Sequence, residues 1–166
     1  MLRLTLDANV LHALLDPRRQ FHAAAARLFE LAEQGHVQLA VTSRIASDIP
    51  REPLRSRVAA LPVLPLPTLV RHGATGYGGD IAATPEELAL HDRLMALLFP
   101  LSTRAGARQA SRLADVAHLV GHVHSGHDYF VSDDKALHGR APQLAAEGIR
   151  VIGLVQAVRL VEDERD

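Results

Sequence analysis

The stretch LRLTLDANVL (residues 2–11) combines a short apolar run, Leu2 to Leu6, with an aspartate that ends it and an apolar segment that follows. Such a run predicts a buried strand that delivers the Asp7 carboxylate at its C-terminal end. Val10 to Leu15 then predicts a short helix stopped by Asp16-Pro17. Further on, Ala24, Leu28, Leu31 and Ala32 stand at helical spacing within 21–34, and Gly35 supplies the stop. Val37 to Val41 reads as a second strand, with Thr42-Ser43 capping a helix that carries Asp48. Prolines 50, 53, 62, 65 and 67 make long regular elements improbable there, and four glycines between Gly73 and Gly79 mark a candidate mobile loop. Thr84-Pro85-Glu86-Glu87 has the cap, proline and glutamate of a helix start, and that helix should run to about Phe99. A helix over roughly 105–124, a strand at Tyr129 to Val131, a strand at Arg150 to Leu154 and a short terminal helix complete the reading.

Strands alternating with helices predict an α/β fold of three layers, a mostly parallel β-sheet flanked by helices. Its 166 residues suit a single domain over 1–166, with an irregular proline- and glycine-rich segment at about 50–83. There are no cysteines, which removes disulfides, thiolate zinc sites and a cysteine nucleophile. The N-terminal run has no basic leader and is interrupted early by polar residues, so neither a secretory signal nor a membrane span is expected, and the expected location is the cytoplasm. A formal net charge of −1 offers no general field for holding nucleic acid, so any such contact must be local. Lys135 is the only lysine among 18 bases, a bias that coding composition alone could produce.

In open parallel sheets, sites form outside the carboxyl ends of the strands. Asp7, Asp48 and the pair Asp133-Asp134 each follow a predicted strand, and Asp115 lies in the apolar run Leu113 to Val120 of the helix before the third of these. Asp7 could also serve as a helix cap, Asp48 competes with Glu52, and one of Asp133 and Asp134 could cap the next turn. Burying Asp115 in that run without a purpose would be costly. Four carboxylates in one pocket repel unless a cation neutralises them, and hard oxygen ligands suit Mg²⁺ or Mn²⁺. Such an ion is equipped for phosphodiester hydrolysis.

These segments resemble the PIN-domain family. LTLDANVL looks like its first motif, with Asn9 as the polar residue two after Asp7. VTSRIASD resembles the second, a Ser or Thr ending a strand and an acid six later, here Thr42 and Asp48. The family usually has Glu there, so this chain is one methylene short. DVAHLVGHVHSGHDYFVSDDKAL resembles the most distinctive stretch, with Asp115 as third acid, Ser132 standing in for a threonine and Asp134 as fourth acid. The resemblance implies a metal-dependent ribonuclease, very often the toxin of a bacterial toxin–antitoxin pair (PilT N-terminus-like, VapC-type). It also implies RNA as substrate, an antitoxin protein as partner and frequent homodimers. Asp7, Asp115 and Asp134 would hold the metal with Asp48, while Asn9, Thr42, Ser132, Asp133 and His118 would support them.

His118, His122, His124 and His127 crowd one segment, and Asp115, His118 and His122 share a helix face. His118 could support the metal or move a proton, although a helix histidine packed by aliphatic neighbours or exposed to water is the commoner case. A zinc site on this cluster is a weaker reading. Cations for phosphate are sought in Arg44, Arg51, Arg55 and Arg57, in the stripe Arg104, Arg108 and Arg112, and in Lys135, which could instead pair with Asp133. Four acids gathered round a cation leave 15 to face 18 bases, so near-neutrality does not exclude a metal-centred nuclease. The alternative is a non-catalytic PIN-like module that binds a protein partner or a nucleic acid. A phosphatase with a nucleophilic aspartate is disfavoured, because Asp7-Ala8-Asn9 lacks a second aspartate.

Overall fold

The computed structural model describes residues 1–48, 54–69, 79–100 and 108–164. The chain opens with β1 (Leu2–Leu6), α1 (Ala8–Leu15), α2 (His22–Glu33) and β2 (Val37–Thr42). Next come α3 (Ser43–Asp48), α4 (Leu54–Ala59), β3 (Val63–Leu64), β4 (Pro67–Thr68) and β5 (Ile81–Ala82). The remainder is α5 (Pro85–Leu98), α6 (Arg108–Ser125), β6 (Tyr129–Val131), α7 (Lys135–His138), α8 (Ala141–Ala146), β7 (Val151–Ile152) and α9 (Leu154–Asp163). Five strands form one sheet in the order β3-β2-β1-β6-β7, and every pairing in it is parallel. The α/β architecture expected from the sequence is therefore present. β4 and β5 form a separate two-stranded parallel ladder.

Within the proline-punctuated segment the described elements are short: the six-residue α4 and the two-residue β3, β4 and β5. Apart from Gly79, the expected mobile loop at 73–79 lies outside the described residues. The capping box at the start of α5 is formed, with Thr84 Oγ1 accepting from the Glu87 N–H and Glu87 Oε2 accepting from the Thr84 N–H. The last strand is shorter than expected, Val151–Ile152.

Side-chain alternation divides the core into two layers. Leu4 and Leu6 of β1, Leu39 and Val41 of β2 and Val131 of β6 pack with α1, α2 and α9, through residues such as Leu11, Leu28 and Ala157. Phe130 on the opposite face joins Leu94 of α5, Val116 and Leu119 of α6 and Leu144 of α8. Where that face lies under α6, β1 and β2 present Thr5 and Thr42, both fully buried. Two histidines one helical turn apart meet them: His118 Nδ1 bonds Thr42 Oγ1, and His122 Nδ1 lies 2.9 Å from Thr5 Oγ1. Between them Gly121 faces Leu66, whose Cδ2 would stand 2.5 Å from a Cβ there, while Thr42 Cγ2 at 3.8 Å would be in ordinary contact. His118 and His122 are thus hydrogen-bonded pegs between helix and sheet, more specific than aliphatically packed or solvent-exposed histidines.

Thr5 Oγ1 also lies 3.1 Å from His127 Nδ1. A hydroxyl has one proton to donate, so at least one of these two rings donates its Nδ1–H to Thr5 Oγ1. Burial, with His127 beside it, pushes the His122 pKa down to about 4. His122 is therefore neutral in the folded chain and binds its proton more readily when unfolded. Its contribution to stability is complete above about pH 6.5 and is lost as pH falls towards 4, by up to about 3 kcal/mol. Chemical denaturation across pH 4–7 should show this loss. His122→Asn, which retains a polar atom near the Nδ1 position, should flatten the pH slope.

Candidate active site

Parallel strands bring all their carboxyl ends to one edge. The chain runs from β1 outward to β2 and β3, then returns to the other side of β1 to form β6 and β7. The crevice between the ends of β1 and β6 is therefore the switch point where such sheets place ligands. Asp7 sits there. Its N–H donates to Val131 O at 3.0 Å, extending the β1–β6 ladder by one bond. Its Oδ1 accepts from the Ala8 N–H at 2.7 Å and caps α1, as its sequence position allowed. Its Oδ2 accepts from Asn9 Nδ2 at 2.9 Å and from Ser132 Oγ at 2.6 Å. Ser132 Oγ in turn accepts from Asn9 Nδ2 at 3.0 Å and from the Asp134 N–H at 3.1 Å. One donor and two acceptor positions are all the hydroxyl has, so Ser132 is fully used in tying β1 to β6.

Asp7, Asp115 and Asp134 line one pocket of about 550 Å³, together with His118 and Lys135. They come from three places: the end of β1, the middle of α6, and the residue that caps α7 through Asp134 Oδ1 and the Ala136 N–H. Asp115 departs from the sequence expectation in one respect. It is not buried in its apolar run but exposed, projecting between buried Ala114 and Val116 on the open side of α6. The pocket walls still strip part of its hydration, and Asp7 and Asp134 repel its charge. Its pKa rises to about 6 through that desolvation first and the two neighbours second. Burial also raises the Asp7 carboxyl. The bonds from Ser132 and Ala8 oppose this, and Asp134 and Asp133 add to the rise.

Other residues singled out from the sequence fall elsewhere. Asp133 does not share the pocket: its Oδ1 accepts from the Leu154 N–H at 3.2 Å, at the start of α9 where Gly153 has no side chain to offer. Its backbone N–H reaches Asn9 Oδ1 at 3.4 Å, so it supports the site through the main chain. Thr42 turns to His118. Asp48 ends α3, and its side chain, like Glu52 and Arg51, lies outside the described residues. Arg104 and the Arg57 and Arg108 side chains lie outside them too. The Arg112 guanidinium stands 5.2 Å over the Phe99 ring, so it is placed on an aromatic face. Sequence reasoning missed Leu98, Phe99 and Arg140, which also line the pocket. No local pattern marks them, because they reach the pocket only through tertiary packing, Leu98 and Phe99 from the end of α5 beside α6 and Arg140 from the start of α8.

Among the described residues, no three His, Asp or Glu side chains stand together as a ready-made metal cage. The donor type and charge nevertheless suit a hard cation. Mg²⁺ in particular usually keeps several waters and takes only one or two carboxylates plus substrate phosphates. No family model matches the chain, and no curated protein matches it.

Two expectations follow from this geometry. Ser132→Ala leaves an Asn9 donor and the Asp134 N–H short of a partner, and should cost about 1–3 kcal/mol in chemical denaturation. The raised Asp115 carboxyl costs stability as pH rises from about 4 through 6. Asp115→Asn should therefore be more stable than the parent chain at pH 7, by under about 1 kcal/mol because solvent screens the open side, and equal to it at pH 4.

Proposed function

We propose that this chain is a divalent-metal-dependent endoribonuclease of the PIN-domain kind, hydrolysing RNA phosphodiester bonds. In this reading it works in the cytoplasm as the toxin of a toxin–antitoxin pair, as a homodimer held in check by an antitoxin protein. The observation that carries the catalytic part is the meeting of Asp7, Asp115 and Asp134, from three separate elements, at one pocket on the carboxyl edge of the sheet. Asp7, Asp115 and Asp134 would hold Mg²⁺ or Mn²⁺, with Asp48 as the fourth acid. Such an ion polarises the phosphate, eases deprotonation of water and stabilises the leaving oxygen. Ser132 and Asn9 fix the Asp7 carboxylate through two hydrogen bonds to Oδ2. Lys135 on the rim offers its ammonium to a phosphate oxygen.

A second reading, a non-catalytic module that binds nucleic acid or a protein partner, draws support from the lack of a three-ligand cage among the described residues. Gel assay of a mixed-sequence RNA with and without Mn²⁺ separates the two. The nuclease reading expects Mn²⁺-dependent cleavage that falls at least about 100-fold in Asp7→Asn and in Asp115→Asn, while circular dichroism stays that of the parent fold. Cleavage unchanged in purified Asp7→Asn would sink it. RNA retained without cleavage would favour the module.

A further inference from the structure

The pocket is larger and more apolar than a cation alone requires. An octahedral ion with six waters fills roughly 200 Å³ at about 30 Å³ per water, against about 550 Å³ here. Away from the carboxylates the wall is built from Leu98 and Phe99 at the end of α5 and Leu137 of α7, with the cations Lys135 and Arg140 on the α7 side. A ribose–phosphate backbone has nothing to set against such a wall. An unstacked nucleobase has: its faces are apolar and it stacks on aromatic rings with little regard to sequence. The Phe99 ring is held ready for this role, half-buried at the end of α5 with the Arg112 guanidinium 5.2 Å from its centroid.

We infer that Leu98, Phe99 and Leu137 form a subsite for one unstacked base beside the cleaved bond, with Arg140 and Lys135 receiving the adjoining phosphates. The inference rests on the ribonuclease reading and adds to it the part of the substrate that this wall recognises. A base in this position would set the register of the RNA against Asp7, Asp115 and Asp134. It would also give a nearly neutral chain a preference for unstacked, single-stranded RNA that long-range charge cannot supply.

The test is a double-mutant cycle on binding, read by fluorescence anisotropy. Labelled eight-nucleotide single-stranded RNAs, each with one abasic residue at a successive position, are titrated in Mn²⁺ with Asp115→Asn protein, in which cleavage is blocked. One abasic position should weaken binding roughly tenfold, and Phe99→Leu should weaken binding of the intact RNA by a similar factor. The two changes together should cost no more than either alone. Phe99→Tyr, which keeps the ring, should bind as Phe99 does, so that a loss in Phe99→Leu reports stacking and not folding. Losses that multiply, or Phe99→Leu binding unchanged, overturn the subsite, and Mn²⁺-dependent cleavage by the parent chain would then leave the nuclease reading standing. No binding of any of these RNAs, together with no cleavage by the parent chain, overturns both.

Discussion

Three carboxylates opening into one pocket repel one another, and the rest of the structure has to hold them there against that repulsion. Asp7 is kept in place by the hydroxyl of Ser132, the amide of Asn9 and the N–H of Ala8. Asp134 is fixed by its own cap to α7. Partial loss of hydration first, and the charges of Asp7 and Asp134 second, raise the Asp115 pKa to about 6. Asp133, one residue from Asp134, is turned elsewhere and used to start α9.

The helix that carries Asp115 is pinned as firmly as the acids themselves. Most helices pack on sheets through aliphatic side chains alone, and Val116, Leu119 and Val120 do so here. His118 and His122 add directional bonds to Thr42 and Thr5 on adjacent strands. Hydrogen bonds of this kind fix both the rotation and the register of α6 against the sheet, and hence the position of Asp115 relative to Asp7. His118 itself reaches the pocket wall, so this pegging extends to the edge of the site.

The sheet was legible because its strands are apolar runs that end in recognisable ways. Leu2 to Leu6 ends at an aspartate, Val37 to Thr42 at a helix cap, and Tyr129 to Val131 at Ser132 and two acids. The two-residue strands β3, β4 and β5 were not, since two residues are too few to show a period. The apolar neighbours of Asp115 in sequence point to burial. A helix alternates its faces within two residues, however, and the polar face carries Asp115 to solvent. The apolar wall of Leu98, Phe99 and Leu137 and the Arg140 cation had no local signature, because each belongs to the pocket only through tertiary packing.

The acids at the carboxyl edge are proposed to make a site for a divalent cation. Calorimetric titration of the purified chain with Mn²⁺ at pH 7 tests it most directly. The expected result is saturable binding well below the millimolar range, lost in Asp7→Asn. Absence of binding below the millimolar range, or the same binding in Asp7→Asn, would contradict it.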